Sequence, residues 1–211
     1  MTTVAVLGAG AWGTTFAKVL ADGGASVQVW ARRDEIAREI NETHRNSTYL
    51  QRVNLPLSIT ASASLAVTLA GAEQVYISVP SQTLRGVLAE AKGLIGDDIP
   101  VVSLMKGVER KSGLRMSQVI SEVAGISEER IAVVSGPNLA LEIAKEEPTA
   151  AVASSSSKET AAFIAKTAKN HYFTTLTNTD VVGTEFGGVL KNLIAVAVGI
   201  ADGVGYRSEE R

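Results

Sequence analysis

Short apolar runs alternate with amphipathic segments along most of the chain. Val4–Leu7 is an uninterrupted apolar run of strand length, which is typical of a strand buried on both faces. Trp12, Phe16 and Leu20 then recur at the i, i+4 and i+8 positions of one helix face, and two glycines follow as a helix stop. The chain therefore begins with a strand, a short turn and a helix.

The same alternation continues for about 150 further residues. The pattern predicts strands at 26–30, 57–60, 74–79, 101–104, 131–135, 149–153 and 172–176. It predicts helices at 11–22, 35–43 (with Asp34 as the N-cap), 64–70, 81–92, 113–124, 139–145 and 158–169. Strands that alternate with helices at this spacing predict an α/β fold with a doubly wound, mainly parallel, Rossmann-like sheet.

The turn after the first strand has the spacing Gly-x-Gly-x-x-Gly, at Gly8, Gly10 and Gly13. The first glycine permits the tight turn, the second lets backbone N–H groups approach a pyrophosphate, and the third lets the helix pack closely on its strand. Ala11 and Trp12 belong to the first turn of that helix, whose free N–H groups attract phosphate. We therefore predict a dinucleotide site here; the alternative is a glycine-rich turn that serves packing alone.

Arginine follows the second strand, where an NAD-selective site usually has an acidic residue for the ribose 2′-hydroxyl. Arg32 and Arg33 occupy this place, and guanidinium groups suit a 2′-phosphate and stack on adenine. Asp34 is the competing candidate, but its position suggests a helix cap. We therefore predict NADPH as the cofactor, with NADH as the alternative; a solvated surface turn would explain the arginines without any ligand.

The pattern changes after residue 178. Residues 182–200 contain no turn residues of the kind that bound a strand, and they are apolar on almost every side. This pattern predicts one long helix buried in a helical layer. We expect residues 1–178 to form the dinucleotide-binding domain and residues 179–211 to begin an incomplete, all-α substrate domain. The most apolar stretch, residues 193–201, is shorter than the roughly 18 residues that span a bilayer, so we expect no integral membrane segment.

Composition narrows the function further. The 211 residues carry a formal net charge of −2, which gives no electrostatic reason to expect nucleic acid or an anionic membrane as a partner. Cysteine is absent, and the acidic residues lack metal-ligand spacing, so disulfides, cysteine nucleophiles and metal sites are not expected. His44 and His171 lie at the ends of predicted elements and are expected to be structural or solvated. A cytoplasmic enzyme is the default expectation.

Five stretches carry a resemblance: Val4–Ala17, Val79–Gln82, Ser103–Glu109, Ser135–Glu142 and Glu185–Asn192. Together they resemble the bacterial type of NAD(P)-dependent glycerol-3-phosphate dehydrogenase. The resemblance covers the whole chain in order. It implies hydride transfer between NAD(P)H and dihydroxyacetone phosphate to give sn-glycerol 3-phosphate, the precursor of glycerophospholipids. Such a substrate is a small phosphorylated triose; whether the protein forms a homodimer is left open.

The resemblance also implies residue roles. Lys191 is implied as the catalytic proton donor and acceptor, and Lys106 as a catalytic residue that contacts both cofactor and substrate. Gly136 and Asn138 are implied to contact the substrate, although many members have Ser or Thr where Asn138 stands. Pro80 and Ala140 are implied to contact the cofactor.

The residues themselves also support Lys191. Hydride delivery to a ketone builds negative charge on oxygen, so a cation or an acid must lie beside it. A lysine on an otherwise apolar helix fits that need. Without catalysis, Lys191 would extend from a buried helix to solvent or would pair with a carboxylate such as Glu185. Lys106, between a strand end and a glycine, would by itself be either a surface charge or an anion contact.

Two other functions compete with this interpretation. One is a dehydrogenase of the same architecture that acts on a β-hydroxyacid or on ketopantoate. The β-hydroxyacid group normally has Lys-x-x-x-Asn on the first helix of its second domain, whereas Asn192 directly follows Lys191 here. The other is a non-catalytic NADP-binding module, which would need neither lysine.

Members of the family continue beyond the position that corresponds to Arg211. They carry an Asp and an Arg-Asn pair in a helical domain that grips the substrate phosphate and the cofactor. We therefore expect the present chain to be part of a longer protein, to bind a dinucleotide, and not to turn over by itself.

Overall fold

Strand β1 (Thr3–Leu7) lies inside an eight-stranded sheet, and its side chains alternate between two buried layers in the computed structural model, which describes residues 1–205. Val4 and Val6 belong to the layer that contains Phe16, whereas Ala5 and Leu7 belong to the layer that contains Leu84. The four strand residues are fully buried. This is why the run is continuously apolar: helices cover both faces of the sheet.

The remaining elements follow the predicted order. The other strands are β2 (Ser26–Trp30), β3 (Ile59–Ser62), β4 (Gln74–Ile77), β5 (Val101–Ser103), β6 (Ile131–Ser135), β7 (Thr149–Ser154) and β8 (Phe173–Asn178). The helices are α1 (Ala11–Asp22), α2 (Asp34–Thr43), α3 (Leu65–Leu69), α4 (Leu84–Ala91), α5 (Met116–Ala124), α6 (Ala140–Ala144), α7 (Lys158–Ala168) and α8 (Val181–Gly203). Short 3₁₀ turns at Ser81–Thr83 and Glu128–Arg130 precede α4 and β6.

The strand order is β3-β2-β1-β4-β5-β6-β7-β8. All neighbouring pairs are parallel except β6 and β7, which are antiparallel. The predicted doubly wound, mainly parallel, Rossmann-like sheet is therefore confirmed. The chain reverses its direction of travel across the sheet between β1 and β4, and the crevice at the carboxyl ends of such strands is where α/β proteins bind ligands.

Two helices, α2 and α5, begin at residues other than those predicted. Helix α2 begins at Asp34 itself, and Arg33 is the N-cap residue, so the prediction that Asp34 caps this helix was wrong. The Asp34 carboxylate instead lies 3.0 Å from Nε of Arg38, one turn further along. Helix α5 begins at Met116 rather than at 113, because Val108 and Arg115 first pair as an isolated antiparallel bridge.

Helix α8 differs from its predicted environment. Glu185 and Gly188 are its buried residues, whereas Leu193 and Val198 are 65% and 62% exposed, so the predicted burial was wrong for the chain described here. The reason is that burial requires neighbouring elements, and residues 1–205 supply none on that side of the helix. Residues 206–211, the end of the predicted second domain, lie outside the described residues.

Helix α8 also bears on the membrane prediction. It has 23 residues and is long and apolar enough to cross a membrane by length and composition, so the argument from residues 193–201 alone was wrong about length. Core helices of soluble proteins pass the same test, which makes this weak evidence for a membrane span.

A buried lysine fastens α1 to the segment after α6. Lys18 Nζ lies 2.6 Å from Asp22 Oδ2 and 2.8 Å from Glu146 Oε1. Burial by itself would lower the pKa of Lys18, but these two hydrogen bonds outweigh it and hold the pKa above its ordinary value. His171 Nε2 lies 3.5 Å from the same Glu146 carboxylate, and the His171 ring packs edge-on against the ring of Tyr172 at 5.0 Å. These contacts join the second half of α1 to the residues that follow α6.

Candidate active site

The glycine turn has the conformation that a dinucleotide needs. Gly8 has φ of +120°, and a Cβ there would lie 2.9 Å from the carbonyl carbon of Ser78 on the neighbouring strand end. Gly13 lies so close to Gly8 that an added Cβ would collide with the Gly8 carbonyl oxygen. Gly10 is the N-cap of α1 without a side-chain cap, and the space in front of it is open to at least 4 Å. The free N–H groups of Ala11 and the following residue therefore face a space that a phosphate could enter.

A buried asparagine supports this turn from behind. Asn46 is fully buried, and its Nδ2 donates to the carbonyl oxygen of Ala9 at 2.9 Å and to Thr14 Oγ1 at 2.8 Å. Its backbone carbonyl accepts from Tyr49 and Leu50, which fixes the loop after α2. Sequence reasoning missed Asn46, because a lone polar residue in a polar loop carries no signal of burial.

A cavity of about 290 Å³ extends from the glycine turn toward the end of β2, and we call it the arginine cavity. Both predicted arginines line it, together with Gly8, Ala9, Gly10, Trp30, Ala31, Ile36, Tyr49, Ser78, Val79, Pro80, Thr83 and Val87. Arg33 Nη2 lies 3.3 Å from the hydroxyl of Tyr49, and its guanidinium carbon lies 5.8 Å from the centre of that ring. Tyr49 is a lining residue that the sequence analysis did not single out.

The charge of this cavity is one-sided. The part of the chain that the structure describes contributes two guanidinium groups to the lining and no carboxylate. A guanidinium binds phosphate bidentately, and the neighbouring phenol ring offers a flat surface for a base. The lining thus suits an anionic group beside a planar ring.

A second cavity, of about 490 Å³, lies on the other side of the glycine turn, and we call it the lysine cleft. It is lined by Gly10, Trp12, Gly13, Ser78, Val79, Pro80, Leu104, Met105, Lys106, Asn138, Leu139, Ala140, Lys191 and Asn192. Because Gly10 and Pro80 line both cavities, the two form one groove across the carboxyl ends of β1 and β4. The Trp12 indole, whose Nε1 donates to the Leu104 carbonyl at 3.1 Å, fixes the floor of the cleft.

The two predicted lysines meet in this cleft. Lys106 Nζ donates to the carbonyl oxygen of Gly136 at 2.9 Å. Partial burial, and then the charge of Lys191, lower the pKa of Lys106. Lys191 also lines a side pocket of about 270 Å³ together with Gly136. Two ammonium groups beside one opening form a site for a negatively charged oxygen or a phosphate.

The chain segment after β6 completes the cleft. Asn138 Nδ2 lies 3.3 Å from the Ala150 carbonyl oxygen, while its Oδ1 is buried and has no hydrogen-bond partner among the described residues. A Cβ at Gly136 would lie 2.9 Å from that Oδ1, so a larger residue would not fit without a shift. The carbonyl of Ala140 accepts from Thr15 Oγ1 at 3.1 Å, which ties the start of α6 to α1.

One of the two non-catalytic alternatives for Lys191, pairing with Glu185, is wrong. Glu185 does not pair with Lys191; its carboxylate contacts Arg115 and Ser117 instead. Glu109 is also engaged elsewhere, because its hydrogen bonds to Arg85 and Ser112 lower its pKa to about 2. Within residues 1–205, no group of three or more His, Cys, Asp and Glu side chains could hold a metal ion.

The fold and this groove define the class of Rossmann-like dinucleotide-binding proteins. Residues 3–161 match the family model described as the N-terminus of NAD-dependent glycerol-3-phosphate dehydrogenase, and residues 180–211 match the model of its C-terminus. The chain belongs to the NAD-dependent glycerol-3-phosphate dehydrogenase family.

Individual relatives agree with the family models. A glycerol-3-phosphate dehydrogenase (NAD(P)+) from Leifsonia xyli subsp. xyli is 63% identical over 201 residues, which are 95% of this chain and 54% of that protein. One from Corynebacterium jeikeium is 50% identical over 98% of this chain and 62% of its own length. The crystal structure of glycerol-3-phosphate dehydrogenase from Coxiella burnetii matches with a TM-score of 0.87 and 31% identity, over 98% of this chain and 63% of that one.

The comparisons also differ in how much of each protein is matched and in how far the likeness goes beyond the fold. The chain spans about half to three-fifths of the length of these curated relatives. A ketopantoate reductase from Ralstonia eutropha matches with a TM-score of 0.66 but only 19% identity, which is a likeness of fold alone.

Proposed function

We propose that the full-length protein containing this chain reversibly transfers a hydride from NAD(P)H to dihydroxyacetone phosphate and forms sn-glycerol 3-phosphate. The observation that carries the proposal is the lysine cleft, where Lys106 and Lys191 lie beside one opening next to the glycine turn. A relative named glycerol-3-phosphate dehydrogenase (NAD(P)+) is 63% identical to the chain. Residues 1–178 would bind the dinucleotide, and residues 179–211 would begin a helical substrate domain in the cytoplasm.

The residues present fit the cofactor. The glycine turn, with Ala11 and Trp12, would hold the pyrophosphate, and Arg32 and Arg33 would hold the adenosine end. Pro80, Lys106 and Ala140 would border the nicotinamide end of the groove. When bound, NAD(P)H supplies the hydride that adds to the keto carbon.

Side chains of this chain would stabilise and then neutralise the negative charge that hydride addition creates on the substrate oxygen. As the carbonyl carbon gains the hydride, its oxygen gains negative charge, and the Lys191 ammonium donates a proton to give the secondary alcohol. Lys106, held by the Gly136 carbonyl, remains a fixed positive charge beside that oxygen or the substrate phosphate. Gly136 and Asn138 would shape the wall against which the substrate rests. In the oxidising direction, neutral Lys191 removes the same proton.

The direct test is an intact mass measurement followed by an assay on the same full-length sample. We expect a mass well above the 22.1 kDa of this chain, and NADPH oxidation that depends on dihydroxyacetone phosphate. Dihydroxyacetone without the phosphate and ketopantoate serve as matched substrates, because they test the need for the phosphate and the competing activity. Turnover of ketopantoate but not of dihydroxyacetone phosphate would contradict the proposal.

We further propose that the arginine cavity favours NADPH over NADH. Replacing Arg33 with alanine removes a charge-assisted contact with a 2′-phosphate, which is worth about 1.5–3 kcal/mol. We therefore expect the Kd of NADPH to rise about 10- to 100-fold while that of NADH changes little, as measured by quenching of tryptophan fluorescence. Arg38→Ala is the control, because Arg38 pairs with Asp34 outside the cavity. Equal losses for both cofactors would show that Arg33 does not distinguish them.

A further inference from the structure

Glu185 is a buried carboxylate that the proposed chemistry does not use. It is 6% exposed. Its Oε1 accepts from the backbone N–H of Ser117 at 2.9 Å, and its Oε2 accepts from Ser117 Oγ at 2.6 Å and pairs with the Arg115 guanidinium. A carboxylate that is bonded on both oxygens to charged and backbone donors is held in one position.

The partners of Glu185 belong to the part of the chain that carries Lys106. The segment 104–115 contains Lys106 and ends at Arg115. The bridge between Val108 and Arg115 closes it into a loop. Ser117 lies in the first turn of α5, where backbone N–H groups lack partners within the helix and attract a carboxylate. Glu185 therefore joins α8 to the loop that presents the first lysine.

Glu185 and Lys191 both neighbour Gly188 on α8. Each is three residues from Gly188, so the two side chains lie on either side of that glycine, about 120° apart around the helix axis. A Cβ at Gly188 would lie 2.6 Å from Ser135 Oγ and 3.6 Å from Lys106 Cγ, which shows how closely α8 crosses the stem of Lys106. Within residues 1–205, no other α8 side chain hydrogen-bonds to an element beyond the turn at 178–184.

We propose that Glu185 is a positioning residue, which holds α8 against the segment 104–115 and thereby sets the separation of Lys191 from Lys106. It does not contact either ammonium; it acts through the helix and the loop that carry them. The expected effect of Glu185 on turnover rests on the proposed function. Its effect on the separation of the two lysines is argued from the contacts described above.

The kinetic test uses Glu185→Gln in the full-length protein. The amide keeps the size of the side chain but loses the charge that pairs with Arg115. Displacement of a reacting group by about 1 Å costs on the order of 100-fold in rate, so we expect kcat to fall about 10- to 100-fold. The Kd of NADPH should stay within threefold, because the glycine turn and the arginine cavity are untouched.

The matched control is Glu122→Gln. Glu122 lies on α5, as Ser117 does, and it pairs with Arg85 at 2.8 Å rather than with a residue of α8. We expect its kcat to equal that of the unmodified protein. If Glu185→Gln does not fold, Ser117→Ala removes one hydroxyl from the same cluster, and a fall of kcat of about threefold or more is then expected. A kcat within twofold of the unmodified value in Glu185→Gln, or in Ser117→Ala where it takes that place, would overturn the proposal.

A second readout does not depend on turnover. Trace acetylation by acetic anhydride, followed by peptide mass mapping across a pH series, reports the titration of Lys106. Because burial and the charge of Lys191 lower the pKa of Lys106, loosening of α8 should move that pKa toward its ordinary value in Glu185→Gln. An identical Lys106 titration in both proteins would overturn the inference. If the unmodified protein does not reduce dihydroxyacetone phosphate, the proposed function fails and this labelling still decides the role of Glu185.

Discussion

Replacing Lys191 with alanine in the full-length protein is expected to lower kcat for dihydroxyacetone phosphate by about 10³-fold. A positioned general acid contributes about 10²- to 10⁴-fold, and Lys191 is the group assigned to proton transfer. The expected loss lies in kcat and in kcat/KM together, because the proton is transferred in the transition state rather than in the bound ground state. Steady-state NADPH oxidation measured at 340 nm gives both quantities.

The binding of the cofactor separates this effect from misfolding. Lys191 lines the lysine cleft and the side pocket but not the arginine cavity. The Kd of NADPH should therefore change by less than about threefold. Lys166→Ala on α7 is the control, since Lys166 is exposed and lies outside the groove. Activity within tenfold of the unmodified enzyme would refute the assignment of Lys191, and an added primary amine that restores turnover would support it.

Local signals explain why the first part of the chain could be predicted closely. Helix α1 has the predicted bounds of Ala11–Asp22, and β2 has those of Ser26–Trp30. The apolar run, the three glycines and the glycine stop all act within a few residues of the element that they define. The sequence also predicts that the candidate groove lies at one edge of the sheet, because the carboxyl ends of parallel strands meet there.

Contacts between distant residues could not be predicted in the same way. Glu185 was considered as a partner of Lys191, its near neighbour in sequence, but it pairs with Arg115, 70 positions away. Asn46 supports the glycine turn from a loop whose composition predicts only exposure. The environment of α8 was also mispredicted. An apolar sequence indicates that a helix needs neighbouring elements to bury it, but those elements must come from other parts of a protein.

The glycines of the turn allow folding and cofactor binding to be tested separately. A Cβ at Gly13 would collide with the Gly8 carbonyl oxygen and would lie 3.2 Å from Ser78 Cβ, and backbone atoms cannot yield as a side chain can. A Cβ at Gly10 would meet nothing within 4 Å, because it would point into the open groove. Both positions belong to the same motif, but only Gly13 is closed by the protein itself.

We therefore expect different results for Gly13→Ala and Gly10→Ala. Gly13→Ala should lower the free energy of unfolding by about 2–3 kcal/mol, as overpacking does, and should weaken NADPH binding at least tenfold because α1 must move from β1. Gly10→Ala should change the free energy of unfolding by no more than about 1 kcal/mol, the usual cost of alanine at an N-cap. Its Kd for NADPH should nevertheless rise at least tenfold, since the new methyl group occupies the space for the pyrophosphate.

Thermal unfolding with and without 1 mM NADPH measures both effects on one instrument. A ligand that binds only the folded state raises the free energy of unfolding by RT ln(1 + [L]/Kd), so a tenfold rise in Kd removes about 1.4 kcal/mol of that stabilisation. For Gly10→Ala we expect a Tm without cofactor that falls by no more than about 4 °C, and a smaller NADPH-induced shift. A full NADPH-induced shift in Gly10→Ala would mean that the phosphates do not approach α1 at this residue, and the cofactor would then have to lie elsewhere in the groove.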